Sequence, residues 1–130
     1  MNRIVVYGSL RRGHGNNSLL EDSDFIDECL TESGYVMRSL GGFPCVSIGG
    51  NQSIRGELYS VSDDVLRQLD SLEGHPDWYE RQLINVLPFN MMGNWIKAWI
   101  YLMPPDEYTD CPVVESGDWG NKTVNTYQGA

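Results

Sequence analysis

Hydrophobic residues in this chain come in short runs, divided by glycine, proline and polar clusters. The run Arg3-Ile4-Val5-Val6 predicts a first strand, which breaks into the loop Tyr7-Gly8-Ser9-Leu10-Arg11-Arg12-Gly13. Asn16-Asn17-Ser18-Leu19-Leu20 predicts a brief helical turn with Asn or Ser as its cap. Phe25 to Thr31 and Tyr35 to Leu40 read as strands around Ser33-Gly34. Gly41-Gly42-Phe43-Pro44 is a forced turn before the strand Cys45 to Ile48. Gly49-Gly50-Asn51 is a hairpin-type turn, and Ser53 to Val61 is a further strand.

The period changes at Ser62. Val65, Leu66, Leu69 and Leu72 recur at helical spacing, which predicts a helix from Asp63 to Leu72 with one apolar face. Ser62 is placed to cap it, Asp63 and Asp64 suit its first turn, and Gly74 is placed to end it just after Glu73. Arg81 to Leu87 and Trp95 to Leu102 read as two last strands turning through Asn90 to Gly93, and Pro104-Pro105 ends them. From about Pro105 the chain is polar and turn-rich, an irregular arm expected to pack through Trp119 and Tyr127. Many short strands with one good helix predict an α+β domain over residues 1–130, built on a curled sheet or small barrel.

Composition adds boundaries to this picture. A chain of 130 residues is one domain able to bury a core. No stretch approaches the ~20 consecutive apolar residues of a membrane helix, and Met1-Asn2-Arg3 leads into a strand without a signal-like apolar region. A cytoplasmic location without membrane attachment is therefore expected. The formal net charge of −9 argues against a nucleic-acid-binding surface, which needs a basic patch. Cys29, Cys45 and Cys111 are widely spaced, and His14 and His75 stand apart, so no metal site is expected. Cys45 lies in an apolar run and reads as a buried thiol.

Candidate chemistry sits at two places. An apolar strand ending in a glycine loop presents bare backbone N–H groups that hold a carboxylate or phosphate, and Arg11, Arg12 and Arg81 are candidates to assist or are surface or salt-bridging arginines. A plain turn is the competing reading. The second place is Glu73, where a helix C-terminus disfavours the charged carboxylate. Shielding by Leu72, Trp78 and Tyr79 would act in the same direction and make Glu73 a proton acceptor near neutral pH. A solvated helix-end glutamate is the competing reading there. Asp70, one turn earlier, is a candidate partner on the same face or a surface acid. Tyr7, Tyr79 and Tyr101 read as core or pocket-wall residues whose hydroxyls need partners. Ser9 lacks the G-x-S-x-G elbow, and the glycines spell neither a phosphate-binding P-loop nor a dinucleotide fingerprint.

Together these residues resemble the γ-glutamylcyclotransferase family, in its AIG2-like and γ-glutamylamine cyclotransferase branches. Tyr7 to Gly13 with Asn16 is similar to the family's Y-G-[ST]-L-x-x-G signature. Gly42-Phe43-Pro44 resembles its glycine-aromatic-proline turn, and Gly56-Glu57-Leu58-Tyr59 its G-x-[LV]-[YF] strand. Leu69 to Gly74 followed by Tyr79-Glu80-Arg81 resembles L-D-x-x-E-G-x-x-x-x-Y-x-R. Ala98 to Tyr101 and Ser116 to Trp119 match later pieces, so the likeness spans nearly the whole chain.

The resemblance implies a small mixed-strand β-barrel with flanking short helices. It also implies a carbon–nitrogen lyase, of the amidine-lyase class, working by an acyl-transfer-type cyclisation. The substrate's α-amine attacks its own γ-carbonyl, which releases 5-oxoproline and a free amine. By resemblance, amides at Gly8, Ser9 and Leu10 hold the α-carboxylate and Glu73 is the general acid/base. Tyr7, Arg11, Tyr79, Arg81 and Tyr101 complete the expected substrate-binding set, with Tyr101 a candidate donor to the oxyanion. The nucleophile belongs to the substrate, so no metal or cofactor is called for. The expected partner is a small γ-glutamyl molecule, with γ-glutamyl amines favoured by the Glu-Gly-x-Pro-x-x-Tyr-x-Arg run. The alternative is a module that binds such a metabolite in the same pocket without turning it over or with altered specificity.

Overall fold

The computed structural model of the chain describes residues 1–90 and 93–121. The strands are β1 Asn2–Val6, β2 Asp24–Thr31, β3 Tyr35–Ser39, β4 Pro44–Ile48, β5 Arg55–Val61, β6 Glu80–Pro88 and β7 Ile96–Leu102. One α-helix, α1 (Asp63–Glu73), and two 3-10 turns, Asn17–Leu20 and Trp119–Asn121, complete the elements among the described residues.

Five strands close into a barrel in the order β1-β5-β2-β6-β7. All neighbours are antiparallel except β7 and β1, which meet in parallel at Ile4 and Trp99 and close the ring. Closure explains why β1 is apolar throughout its second half. Successive side chains point to opposite faces, and here both faces are covered. Val5 enters the cluster holding Leu58, Ile84, Val86, Ala98 and Ile100. Ile4 and Val6 enter a second cluster with Tyr59, Leu66, Leu69 and Tyr101, beneath α1. Gly56 permits the β1–β5 approach, because a Cβ there would lie 2.7 Å from Val5 Cγ1 and 2.8 Å from the Val6 carbonyl oxygen. The hairpin β3–β4 stands outside the ring as a separate two-stranded sheet.

The mixed barrel with one helix is the predicted architecture, and most boundaries fall within two residues of expectation. β5 starts at Arg55 rather than Ser53, because the Ile54 N–H is taken by Thr31 Oγ1 at 2.8 Å. Pro44 opens β4 instead of belonging to the turn, since the first residue of a strand can do without an N–H donor. Asn16 precedes the first 3-10 turn but its side chain makes no capping bond. Ser62 caps α1 as expected, its Oγ accepting from the Val65 N–H at 3.2 Å. Of the expected apolar face, Leu66 and Leu69 are buried whereas Leu72 is 40% exposed. Met91 and Met92, within the expected last turn, lie outside the described residues.

The segment after β7 docks on the hairpin and the barrel. Val113 bridges Arg38, the Val114 N–H donates to the Met37 carbonyl at 2.8 Å, and the Arg55 N–H donates to the Gly117 carbonyl at 2.9 Å. Trp119 is buried, as expected, and Tyr127 lies outside the described residues. Among the described residues no helix is long and apolar enough to cross a membrane.

Candidate active site

A cavity of about 300 Å³ opens where β1 ends, beside the last turn of α1. Its wall is formed by residues from Val5 to Leu10, Asn16, the Gly42-Phe43-Pro44 turn, Leu72, Glu73, Trp78, Tyr79 and Tyr101. The loop and the helix end, far apart in sequence, thus face one space.

The loop is held from behind. The Asn16 backbone N–H donates to the Ser9 carbonyl and Asn16 Nδ2 to Ser9 Oγ, both at 2.9 Å. Asn17 Nδ2 donates to the Leu10 carbonyl at 2.8 Å. These bonds explain the missing helix cap: both asparagines clamp the loop instead. Buried Glu57 accepts from the Arg12 backbone N–H at 2.9 Å and from the Tyr59 hydroxyl at 3.2 Å. With the carbonyls engaged, the N–H groups of Gly8, Ser9 and Leu10 have no acceptor among the described residues. Gly8 is required by close approach, since a Cβ there would lie 2.8 Å from Pro44 Cδ.

The helix end is braced on its other side. Gly74 takes the left-handed conformation, φ 68°, and the His75 N–H reaches back to the Asp70 carbonyl at 2.9 Å. Asp70 Oδ1 accepts from Arg81 Nε and from the Tyr101 hydroxyl, each at 2.8 Å. Burial pushes the Asp70 carboxyl up, but the bonds from Arg81 and Tyr101 outweigh it and hold the group below its ordinary range. Arg81 also lies over the Trp99 ring at 4.3 Å.

Glu73 is treated in the opposite way. It lies half-buried in the cavity wall, and its carboxylate has no hydrogen-bond partner among the described residues. Burial pushes its carboxyl from 4.5 up to about 7. That places a proton acceptor and donor near neutrality inside the cavity.

The three tyrosines all line the cavity, with their hydroxyls engaged. Tyr7 donates to the Tyr101 carbonyl at 2.7 Å, Tyr79 to the Pro44 carbonyl at 2.8 Å, and Tyr101 to Asp70. Burial first, and neighbouring negative charge after it, pushes all three hydroxyls upward, so they stay protonated. They tie the wall together: Tyr79 fixes the Pro44 turn and Tyr7 fixes the start of the loop to β7.

Of the expected site residues, the structure brings together Tyr7, Gly8, Ser9, Leu10, Glu73, Tyr79 and Tyr101. Arg11 and Arg81 do not line the cavity. Arg11 is buried with Nη1 2.6 Å from Asp118 and Nε 3.8 Å from Glu57, and it joins the loop to the C-terminal segment. Arg12 pairs with Glu57 at 3.4 Å and stacks 3.9 Å from the Phe25 ring centroid. Arg81 is held by Asp70, which is therefore not a carboxylate partner of Glu73. Sequence reasoning left Asn16, Phe43 and Pro44 out of the site, whereas Leu72 and Trp78, expected as shields of Glu73, line the cavity beside it. The Gly-Phe-Pro turn and the asparagine following the loop were the signals available for them.

Comparison with known proteins agrees with this geometry. The profile of the family described as "Gamma-glutamyl cyclotransferase, AIG2-like" matches residues 4–121. A putative γ-glutamylcyclotransferase of Methanocaldococcus jannaschii is 38% identical over 122 residues, covering 92% of this chain and 96% of that protein. A putative γ-glutamylcyclotransferase of Vibrio cholerae is 35% identical over 116 residues, covering 89% of this chain and 93% of its own length. The crystal structure of an AIG2-like protein from mouse superposes with a TM-score of 0.72 at 26% identity, over 79% of this chain and 77% of that one. The chain belongs to the AIG2-like γ-glutamylcyclotransferase family.

Proposed function

We propose that this protein cleaves γ-glutamyl amines by cyclising their glutamyl half to 5-oxoproline. The observation that carries the reading is the single cavity holding two complementary halves. One is the set of N–H groups at Gly8 to Leu10 and the other is the Glu73 carboxyl with a pKa of about 7, neither of them with a partner among the described residues.

The substrate's α-carboxylate binds the loop N–H groups, which need no nearby cation to hold an anion. This suits a chain of charge −9 whose Arg11, Arg12 and Arg81 are paired with carboxylates. The adjacent α-ammonium then faces Glu73. Transfer of one proton to Glu73 frees the amine lone pair. The nitrogen attacks the γ-carbonyl carbon, a C–N bond forms, and the carbonyl oxygen takes up negative charge. Collapse breaks the original amide C–N bond: Glu73 passes its proton to the departing nitrogen and then takes the second proton from the ring nitrogen, which ends as the lactam N–H, and that proton leaves with the freed amine as its ammonium. Holding the chain bent so that nitrogen meets carbonyl supplies on the order of 7–11 kcal/mol of the barrier in favourable cases. Because Tyr7, Tyr79 and Tyr101 donate to protein acceptors, loop N–H groups and the Ser9 hydroxyl are the better candidates for the oxyanion.

The test is incubation of purified protein with a panel of γ-glutamyl amines and γ-glutamyl amino acids, reading 5-oxoproline by chromatography. Stoichiometric 5-oxoproline and free amine are expected. Calorimetric binding of these compounds without product would instead support a binding module.

A further inference from the structure

We propose that Phe43, Leu72 and Trp78 form a collar that reads the leaving amine and selects amines with an apolar or aromatic body and no carboxylate. This rests on the cyclotransferase reading of the cavity.

The lining changes character from floor to mouth. Val5, Val6 and Leu10 are buried, whereas Phe43, Leu72 and Trp78 are 37%, 40% and 40% exposed. The three come from separate segments: the turn before β4, the last turn of α1, and the loop that leaves it. The Phe43 and Trp78 rings meet edge to face, centroids 5.9 Å apart at 84°. Trp78 is held by its N–H to the Gly74 carbonyl at 2.8 Å and by the Tyr79 ring, 5.1 Å away. Large apolar side chains exposed together around a cavity are a ligand surface, because leaving them wet is unfavourable and covering them is not.

Charge narrows the class further. Among the described residues, Glu73 is the only charged side chain in the lining. A leaving group with its own carboxylate would bring a second anion towards Glu73 and against apolar rings, with no cation among the described lining residues to meet it. An alkyl or aryl amine would instead be desolvated against matching surface.

Three synthetic amides separate the contributions: γ-glutamyl phenethylamide, γ-glutamyl methylamide, and γ-glutamylphenylalanine, which adds a carboxylate to the phenethyl body. The expected kcat/KM for the phenethylamide is about tenfold or more above either of the others. Trp78→Ala and Phe43→Ala are expected to shrink the phenethyl-to-methyl ratio towards unity, and Trp78→Phe to restore most of it. Both side chains are partly exposed, so the variants should fold, which a thermal melt verifies. Equal kcat/KM for all three amides, preference for γ-glutamylphenylalanine, or an unchanged ratio in Trp78→Ala overturns the collar while cyclisation stands. Release of 5-oxoproline from none of them overturns the cyclotransferase reading, and the collar with it.

Discussion

The loop after β1 and the last turn of α1 meet at one cavity, yet they handle charge in opposite ways. Around the loop every buried charge is matched: Glu57 with Arg11 and Arg12, and Arg11 with Asp118. What the loop shows to the cavity is neutral backbone. At the helix end the matched pair, Asp70 with Arg81, faces away, and the carboxylate in the cavity wall has no partner among the described residues. Two acids one turn apart on one helix are consequently pushed in opposite directions, Asp70 down and Glu73 up. On the proposed reading, the contrast separates scaffolding charges from the one that works. A paired buried charge holds geometry, because removing its partner is costly. An unpaired, half-buried acid keeps its proton close to neutrality and is free to trade it.

The strongest test of that contrast is Glu73→Gln. It removes the proton carrier while keeping the shape, so 5-oxoproline release should fall by about 10²–10⁴-fold. Its melting temperature, measured above about pH 7, should equal or exceed the wild type's, because no charge is left to bury. Activity within threefold of wild type would break the assignment.

Glu57→Ala addresses the other side. It removes the acceptor of the Arg12 N–H and of the Tyr59 hydroxyl and one of the two carboxylates beside Arg11, which keeps Asp118, and it should destabilise the protein by about 1–3 kcal/mol in denaturant unfolding. A loss below about 1 kcal/mol would mean that the loop does not depend on its buried pair.

Gly8→Ala should cost about 1–3 kcal/mol, since the new methyl would meet Pro44 at 2.8 Å. The same shift displaces the loop N–H groups, so KM for a γ-glutamyl amide should rise more than kcat falls.

The subtlest test compares pH dependence across the helix turn. Glu73 has a folded-state value of about 7 against an ordinary 4.5, so between these the unfolded state binds fewer protons and stability falls as pH rises. The favourable contribution is full below about 4.5 and lost through about 7. Asp70 is shifted downward, so its contribution is present above 3.8 and lost as pH falls through its lowered folded value. Thermal melts of Glu73→Gln and Asp70→Asn against pH should therefore differ from wild type with opposite slopes. In activity, kcat/KM should rise with pH through an apparent pKa near 7 that Glu73→Gln lacks. Parallel stability slopes would show that the two acids share one environment.

Much of the architecture was legible before the structure, because it rests on local patterns. Short apolar runs divided by glycine and proline placed the strands, and the spacing of Leu66 and Leu69 with Ser62 and Gly74 placed the helix. Glu73 and the glycine loop were legible for the same reason: a helix end and a strand end are local features. The sequence left the arginines open between assisting a ligand and pairing with a carboxylate, because a guanidinium near a loop looks alike in either role and Asp118 lies 107 residues from Arg11. Leu72 looked like core because helical spacing reports one face, and it does not report where that face runs past the edge of the barrel.

The sequence by itself determined the elements, the glycine loop, the acid at the helix end and the likeness to a family. Those follow from short-range sterics, capping and periodicity, which a few neighbouring residues decide. Only the tertiary structure decided which charges are matched and which one is left in the cavity. Barrel closure brings Asp70 to Arg81 and Tyr101, Glu57 to Arg11, and the Phe43 turn to Trp78. A carboxyl's pKa depends on its burial and on the charges within a few ångströms, and neither exists until the chain has closed around it.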